Sequence, residues 1–431
     1  MNYQNMTAEE RLWEYRRVKA AYDALSKEKM SLDISRGKPS AEQLDLSEGM
    51  LSMPLTGAEC ITEEGIDCRN YGLYEGLPQI RRLFSKLTGV KEEQILVAGN
   101  SSLALMYDTI SRAMIFGLAG SKRPWCFEEK RKFLCPAPGY DRHFAITERF
   151  GFELITVDMT DQGPDMDQVE EYVKDPTVKG IWCVPMYSNP TGITYSDETV
   201  ERLAKMQTAA PDFLLMWDNA YAIHDLKSHG DRLKDIFATS EKYGTEDRVF
   251  YYTSFSKVTY AGGAIAMMAM SLNNINIMRP IQAVRTIGYD KINQLRHLLF
   301  LKDEATTRAH MQKHAQIIRR KFDILYRALE EDLADTGIAH WSKARGGYFI
   351  SLNTEDGCAK RTHALCKAAG LTLTPAGATF PYGIDPRDRN LRLAPTYPPD
   401  EELVKAAKIL TCSIKLATLE KYLAKENMQY L

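Results

Sequence analysis

The feature that most constrains this chain is an alternation, between about residues 75 and 300, of short apolar runs with longer stretches of helical periodicity. Each run has the length of a buried strand. The runs are ILVAG at 95–99, FLCP at 133–136, LITV at 154–157, GIWCVP at 180–185, FLLMWD at 213–218 and VFYYTS at 249–254. Strands that alternate with helices predict an α/β fold with a mainly parallel sheet between layers of helices.

Several of these predicted strands end directly in polar or turn-forming residues. The segments concerned are Gly99-Asn100-Ser101, Pro138-Gly139-Tyr140, Ser188-Asn189-Pro190, Asp218-Asn219 and Ser254-Phe255-Ser256-Lys257. Because open α/β sheets bind ligands at the carboxyl ends of their strands, we expect these segments to surround one site.

The chain, with 431 residues, is too long for one ordinary domain. Residues 289–332 lack Gly and Pro, which predicts one long helix or two in succession. Beyond about residue 335, strand-like and helical segments follow one another and predict a separate α+β domain. We therefore expect an N-terminal arm and part of a small domain at 1–48, a large domain at 49–300 and a C-terminal small domain at 301–431.

Composition excludes several classes of protein. The formal net charge is only −2, and Lys and Arg are mixed with Asp and Glu, so nucleic acid is not an expected partner. No apolar run approaches the roughly 20 residues that span a bilayer, and the N-terminus lacks the apolar block of a signal peptide. The eight cysteines lack CxxC pairing. We expect a cytoplasmic protein with reduced thiols, no membrane partner and no metal.

Lys257 carries the strongest local signal for chemistry. It lies in SFSKV after an apolar strand and before the small residues Ala261 to Ala264. Desolvation lowers the pKa of a lysine from about 10.4, and the neutral amine condenses with aldehydes. A single lysine after a strand is more often a surface residue, so Lys257 needs supporting residues.

Asp218 and Tyr221 supply the first support. A carboxylate at a strand end can keep a pyridine nitrogen protonated, and a nearby phenol can bind the ring oxygen of the same cofactor. Taken alone, the segment DNAY is equally typical of a helix N-cap.

Three further segments follow strands and each has an ordinary structural alternative. The turn SNPTG at 188–192 presents Asn189, although such turns are common. In AGNSS at 98–102 the helix start offers backbone amides and the hydroxyls of Ser101 and Ser102 to a phosphate, or these serines simply cap the helix. The ring of Tyr140 stacks on a flat cofactor or covers the core.

The order NSS, PGY, NPTG, DNAY, SFSK and a late NLRLAP resembles the fold-type I pyridoxal-phosphate aminotransferases over nearly the whole chain. The resemblance implies a mainly parallel seven-stranded sheet in the large domain and a Schiff base between Lys257 and pyridoxal 5'-phosphate. It also implies that Asp218 pairs with the pyridinium, that Tyr221 and Asn189 bind the ring hydroxyl, and that Tyr140 stacks on the ring. The candidate phosphate ligands are Asn100, Ser101, Ser102, Ser254 and Ser256.

The same resemblance implies substrate and subunit contacts. Arg392 in NLRLAP corresponds to the arginine that binds the substrate α-carboxylate, a role that suits its planar, bidentate guanidinium. Tyr71 corresponds to the tyrosine that reaches the phosphate of the neighbouring subunit, which implies a homodimer with shared active sites. Many members bind phosphate with an arginine eight residues after the lysine, where this chain has Ile265. Other donors must therefore hold the phosphate.

This departure, the segment SRGKP and the stretch 290–303 are most similar to the divergent bacterial aspartate aminotransferases of subgroup Ic. Aspartate and 2-oxoglutarate are then the expected substrates, in a ping-pong transamination. A dicarboxylic substrate needs a second cation, for which Arg36, Lys38, Arg285 and Arg296 are candidates. Arg36 ranks first because it precedes the flexible Gly37, which is also expected at the substrate. Each of these cations is otherwise a solvated charge.

Other functions remain alternatives. Transfer from an aromatic amino acid, alanine or kynurenine, or a pyridoxal-phosphate lyase or decarboxylase, would use the same scaffold. Retention of the α-carboxylate by Arg392 argues against decarboxylation. A cofactor-free regulatory module would need a DNA-binding segment, for which the short N-terminus leaves no room. A nicotinamide-dependent dehydrogenase would need GxGxxG after the first strand, and AGNSSL lacks it.

Overall fold

The computed structural model describes residues 2–28 and 30–426. Its α-helices are α1 (Ala8–Ser26), α2 (Ala41–Asp45), α3 (Pro78–Thr88), α4 (Ser102–Phe116), α5 (Asp141–Arg149), α6 (Met166–Tyr172), α7 (Asp197–Lys205), α8 (Ile236–Glu241), α9 (Leu272–Arg285), α10 (Lys291–Leu301), α11 (Glu304–Leu333), α12 (Ala359–Ala368) and α13 (Asp400–Lys425). No helix within these described ranges is both long and apolar enough to cross a membrane.

The strands form one large sheet and two small ones. The strands are β1 (Leu32–Asp33), β2 (Ile95–Val97), β3 (Lys132–Ala137), β4 (Glu153–Thr160), β5 (Gly163–Pro164), β6 (Val178–Cys183), β7 (Leu214–Asp218), β8 (Val249–Ser254), β9 (Ala266–Ala269), β10 (Ala339–Trp341), β11 (Ile350–Thr354), β12 (Leu371–Thr372) and β13 (Asn390–Leu393). The large sheet has the order β2-β9-β8-β7-β6-β3-β4-β5.

The large sheet is mainly parallel, which confirms the α/β expectation. Strands β4, β3, β6, β7 and β8 run parallel to one another, while β9 is antiparallel to both β2 and β8. The two-residue edge strand β5 pairs antiparallel with β4. This edge strand raises the number of strands to eight, one more than expected, because a Gly-Pro pair carries no apolar run that would predict it.

Side-chain alternation explains why helices cover both faces of this sheet. Along β8, Val249 and Tyr251 belong to one buried cluster, whereas Phe250 and Tyr252 belong to another on the opposite face. Successive side chains of a strand point to opposite faces, so an almost wholly apolar strand requires cover on both. Helices α3, α7, α8 and α10 contribute to the first cluster, and α4, α5 and α9 to the second.

A separate core unites the two ends of the chain. Helix α1 packs on α13, and both contribute buried residues to a cluster that also holds most of α11 and the three-stranded sheet β10-β11-β13. Helix α1 begins with a capping box, in which Thr7 and Glu10 exchange side-chain and backbone hydrogen bonds. The division at about residues 48 and 300 remains a prediction.

The helical stretch predicted at 289–332 consists of two helices in succession. Helix α10 ends before Lys302, whose φ of 58° lies in the left-handed region, and the Asp303 side chain caps α11 by accepting from the Thr306 amide. The break therefore needs no Gly or Pro. It turns the chain from the large sheet toward the second core.

The second core docks on the large sheet at two places. At one, the Gly139 amide donates to Thr379 O at 2.7 Å, and the Leu154 amide donates to the Tyr382 hydroxyl at 2.7 Å. At the other, Gly346 meets the ring of Tyr187 so closely that a Cβ there would lie 2.3 Å from the ring. A glycine is therefore required at this contact.

Candidate active site

A cavity of about 610 Å³ lies between these two docking points, at the carboxyl ends of β3, β6, β7 and β8. Most of the residues proposed for the site line it: Arg36, Gly37, Ser101, Ser102, Tyr140, Asn189, Asp218, Tyr221, Ser254, Ser256, Lys257 and Arg392. Segments far apart in sequence thus meet because parallel strands present their carboxyl ends at one edge of the sheet.

Lys257 lies on the turn after β8, with its side chain bordering the cavity. Its Nζ lies 5.0 Å from the ring centre of Tyr221 and 5.8 Å from that of Tyr348. Desolvation by the surrounding protein lowers the pKa of the Lys257 amine, and the nearby Asp218 opposes this shift only in part. A larger share of the lysine is therefore in its neutral, nucleophilic form than in water.

Asp218 ends β7 and is buried. Its Oδ2 accepts a hydrogen bond from His143 Nε2 at 2.9 Å, and the His143 ring stacks on Trp182 with centroids 4.4 Å apart. Its Oδ1 has no hydrogen-bond partner among the described residues. An unpaired buried carboxylate oxygen costs free energy, so a site built around it fits a ligand that brings an N–H donor. The ring nitrogen of a pyridinium is such a donor.

Two tyrosines flank the position in front of Asp218. Burial raises the pKa of Tyr221 well above its usual value, and burial, with a smaller contribution from Asp218, raises the pKa of Tyr140 to about 12. Both phenols therefore keep their protons at neutral pH and can donate hydrogen bonds. Tyr140 directly precedes α5, which fixes its ring at the cavity wall.

The start of α4 and the turn after β8 form a hydroxyl-rich end of the cavity. Ser101 Oγ caps α4 by accepting from the Ala104 amide at 3.3 Å, so the capping alternative is realised for this serine. Ser254 Oγ donates to Ser256 Oγ at 2.9 Å. These groups, with the free amides of the first helical turn, fit a phosphate.

Two expectations about phosphate binding at this end of the cavity concern Asn100 and Ile265. Asn100 is exposed and does not line the cavity, so its proposed contact with a phosphate finds no support. Ile265, which replaces the family's arginine, is buried in the core behind the sheet. The donors nearest this end are therefore hydroxyls and backbone amides.

Arg392 lies on β13 at the opposite wall of the cavity and is almost fully buried. Its Nη1 donates to Asp141 Oδ1 at 2.7 Å and to Asn189 Oδ1 at 3.4 Å, and its Nε donates to Thr374 Oγ1 at 3.4 Å. The guanidinium also lies over the Phe349 ring, with the ring centre 5.1 Å from Cζ. This arrangement presents a fixed cation to the cavity.

Gly37 lies behind the same wall. A Cβ on this residue would lie 2.5 Å from Phe349 Cζ, the ring that supports Arg392. Any larger residue at position 37 would therefore displace the ring. Gly37 thus lines the cavity beside Arg392, and its contact with a substrate remains a prediction.

The proposed second cations separate into one at the cavity and three elsewhere. Arg36 is exposed and lines the cavity. Lys38 lies over the Tyr397 ring at 5.3 Å, Arg285 pairs with Asp108, and Arg296 does not line the cavity. These three are not candidates in this structure, because none of them borders the cavity.

Sequence reasoning missed Arg142, which also lines the cavity. Neither Arg36 nor Arg142 has a side-chain hydrogen bond or ion pair with any residue in the described ranges. The position of Arg142 two residues after Tyr140, just beyond the end of β3, was the available signal. Sequence reasoning likewise missed Asp141, His143 and Tyr348, which contact Arg392, Asp218 and Lys257.

Tyr71 lies outside the cavity, and 81 % of its surface is exposed. A tyrosine this exposed is free to reach another chain. Its predicted contact with a partner subunit remains a prediction.

Comparison with known proteins agrees with this geometry. Residues 6–426 match the family model described as aspartate amino-transferase. The chain is 45% identical to the aspartate aminotransferase of Corynebacterium glutamicum over 405 residues, and this aligned region covers 94% of each protein. A crystal structure of an aspartate transaminase from that organism superposes with a TM-score of 0.95 at 44% identity, over 98% of this chain and 99% of the other. The fold is shared with the α-aminoadipate aminotransferase LysN of Thermus thermophilus, complexed with N-(5'-phosphopyridoxyl)-L-leucine (TM-score 0.71, 20% identity, 91% and 93% covered).

Proposed function

Since the chain belongs to the aspartate amino-transferase family, we propose that it transfers the amino group of L-aspartate to 2-oxoglutarate. It is a pyridoxal-phosphate-dependent aminotransferase that acts on amino and oxo acids. One observation carries the finer proposal: a single cavity has a desolvated lysine and an unpaired carboxylate oxygen on one side and three guanidinium groups on the other.

Pyridoxal phosphate fits the first side. Asp218 Oδ1 would accept from the ring nitrogen, Tyr221 and Asn189 would bind the ring oxygen, and Tyr140 would cover the ring face. The phosphate would bind at the hydroxyl-rich end, where Ser101, Ser102, Ser254 and Ser256 border the cavity. When bound, the cofactor supplies an electron-withdrawing ring that draws electron density from the substrate Cα.

Lys257 would perform the proton transfers. Its amine, once free of the cofactor, would take the proton from the substrate Cα and deliver it to the cofactor within the same half-reaction, and it would make the reverse transfer to Cα when the second oxo acid reacts. The lowered pKa of Lys257 supports this role, because it raises the share of neutral amine that can accept a proton. Tyr221 and Tyr348, which flank its Nζ, keep the amine oriented and exclude water.

Arg392 would bind the substrate α-carboxylate. Burial and the contacts with Asn189, Thr374 and Phe349 hold its guanidinium in one orientation. An enzyme that retains this carboxylate favours amino transfer over decarboxylation.

Arg36 and Arg142 would bind the distal carboxylate. Aspartate, glutamate and their oxo acids all carry two carboxylates. The same three arginines, Arg392 for one carboxylate and Arg36 with Arg142 for the other, would therefore serve both halves of the reaction. The two unpaired arginines support a dicarboxylic substrate over an aromatic amino acid, alanine or kynurenine.

We also propose a homodimer in which Tyr71 reaches the neighbouring active site. Large apolar side chains are exposed in one region of the surface around α4 and α9, namely Ile115, Phe116, Val284 and Ile287. Exposed apolar clusters of this kind are typical of subunit interfaces. Mixing Tyr71→Ala protein with Lys257→Ala protein under exchange conditions tests this arrangement, since hybrid dimers regain one intact site if sites are shared. No regain of activity would contradict it.

The central test combines the protein with pyridoxal phosphate, 2-oxoglutarate and one amino donor at a time. Oxaloacetate should form from aspartate at a kcat/KM well above that of the reactions with phenylalanine, alanine or kynurenine. A preference for one of those donors would overturn the proposed substrate. The visible absorbance of bound cofactor, recorded in the same samples, reports separately on the Lys257 assignment.

A further inference from the structure

The cation assigned to the substrate α-carboxylate is already paired with a carboxylate of the protein. Arg392 Nη1 donates to Asp141 Oδ1 at 2.7 Å, the shortest of its three hydrogen-bond contacts. The Arg392 side chain is 8% exposed, whereas 32% of the Asp141 side chain remains exposed. Only one member of this pair is thus held firmly by the protein.

Asp141 is placed at the cavity by the start of α5. It is the first residue of that helix, follows Tyr140 and lines the cavity. The other acidic residue of the cavity lining is Asp218, which accepts from His143. Asp141 is therefore the carboxylate that faces Arg392.

A substrate α-carboxylate would need the same donor. A guanidinium binds a carboxylate best through two parallel N–H···O bonds, and a neighbouring carboxylate both occupies one N–H and repels the incoming anion. Arg392 cannot withdraw, because Asn189, Thr374 and Phe349 surround it. Asp141, at the exposed edge of the pair, is the group that can leave.

We propose that Asp141 acts as an internal substitute for the substrate α-carboxylate: it neutralises Arg392 in the free enzyme and is displaced when substrate binds. Asp141 thereby weakens binding of every ligand that uses Arg392, whatever its distal group. This role rests on the proposed function of Arg392. It differs from a role as a fixed support, in which Asp141 would orient Arg392 and strengthen binding.

The two roles predict opposite changes in Asp141→Asn, which preserves shape and removes charge. The cofactor-loaded enzyme is titrated in a calorimeter with succinate, a dicarboxylate without an amino group, and with acetate, which lacks the distal carboxylate. We expect both acids to bind Asp141→Asn about tenfold more tightly than the wild type, a change typical of removing one competing charge. Asp141→Ser, which shortens the side chain, should shift affinity in the same direction.

Asp197→Asn is the matched control. Asp197 is also the first residue of a helix, α7, but is exposed and does not line the cavity. Its substitution should leave both affinities unchanged, which separates the pairing with Arg392 from any general effect of charge at a helix start.

The remaining outcomes are decisive. The proposal is overturned if the folded Asp141→Asn and Asp141→Ser proteins bind both acids no more tightly than the wild type does. It is also overturned if neither acid binds to any of these three proteins. If the variants bind acetate more tightly but no protein prefers succinate over acetate, the role of Asp141 stands and the dicarboxylic substrate proposed above fails.

Discussion

The floor of the cavity and its mouth are built on opposite principles. The floor, defined by Lys257, Asp218, Tyr221 and Tyr348, is enclosed by protein, and burial there keeps the phenols protonated and lowers the lysine pKa. The mouth, defined by Arg36, Asp141, Arg142 and Arg392, carries charges, and two of its arginines are exposed without a side-chain hydrogen bond or ion pair to any described residue. The floor determines what chemistry occurs, and the mouth determines which molecule undergoes it.

The floor is also supported from below by a histidine network, formed by Gln43, His310, His314 and Tyr348. Gln43 Nε2 donates to the Tyr348 hydroxyl at 2.8 Å and lies 3.2 Å from His314 Nδ1. His314 Nε2 lies 3.1 Å from His310 Nε2, which donates to Val258 O at 2.8 Å. Three separate segments of the chain thus fix the residue beside Lys257. Among the residues that the structure describes, no comparable network holds Arg36 or Arg142 at the mouth.

The largest effect is expected at the floor. Lys257→Ala removes both the nucleophile and the proton carrier, so the rate of oxaloacetate formation should fall by about four orders of magnitude. The visible absorbance of bound cofactor should also change. Lys38→Ala, which removes a nearby exposed lysine outside the cavity, should retain nearly full activity. Substantial activity in Lys257→Ala would place the chemistry elsewhere.

Asp218→Asn tests whether the unpaired oxygen of the floor matters for its charge. The amide keeps the shape but no longer stabilises a protonated ring, so kcat should fall by about 10²- to 10³-fold, a loss typical of removing one electrostatic contact to the reacting group. Steady-state kinetics with aspartate measure it. An unchanged kcat would mean that Asp218 is only a structural partner of His143.

Substitution at the mouth should change selection rather than chemistry. Arg142→Ala should lower kcat/KM for aspartate by about 10- to 100-fold, the value of one charge-assisted contact, and leave kcat/KM for alanine nearly unchanged. Arg149→Ala, an exposed arginine at the other end of α5, is the control. Equal losses for both substrates would remove Arg142 from distal recognition and leave Arg36 as its candidate.

The smallest effect concerns stability and the histidine network. Burial lowers the pKa of His314 from 6.5 to about 3, so the unfolded chain binds a proton in this window that the folded protein does not. The stabilisation that neutral His314 contributes to the folded protein is therefore fully present above pH 6.5. It decreases as pH falls toward 3, by about 1.4 kcal/mol per pH unit. In His314→Gln, the free energy of unfolding measured with urea should depend on pH less steeply by this amount. An unchanged slope would show that His314 is protonated in the folded protein.

The floor was largely predictable from the sequence and the mouth largely was not. Lys257, Asp218 and Asn189 follow apolar runs, and parallel strands bring such positions to one edge whatever the details of the fold. Arg392 was recognised only by family resemblance, because it comes from a separate core. Its pairing with Asp141, 251 positions away, depends on how that core docks, which no local pattern encodes.

The same reason explains why some candidates lie away from the cavity and why other lining residues were missed. Lys38, Arg285 and Arg296 had suitable charge but do not line the cavity, whereas Arg142 had no local signal beyond its place shortly after a predicted strand. His143 is a single histidine on a helix, a pattern that usually indicates core packing. Only its 2.9 Å contact with Asp218 reveals its role.

The packing of α1 against α13 has a consequence for the newly made chain. Residues 8–26 leave the ribosome long before the surface that covers them, which lies at 400–425. At about 5–20 residues per second, the first helix waits on the order of 20 seconds or longer for its partner. The central sheet can assemble during that interval, so a truncated product that stops before residue 400 would expose the apolar side of α1 and become a substrate for chaperones and proteases.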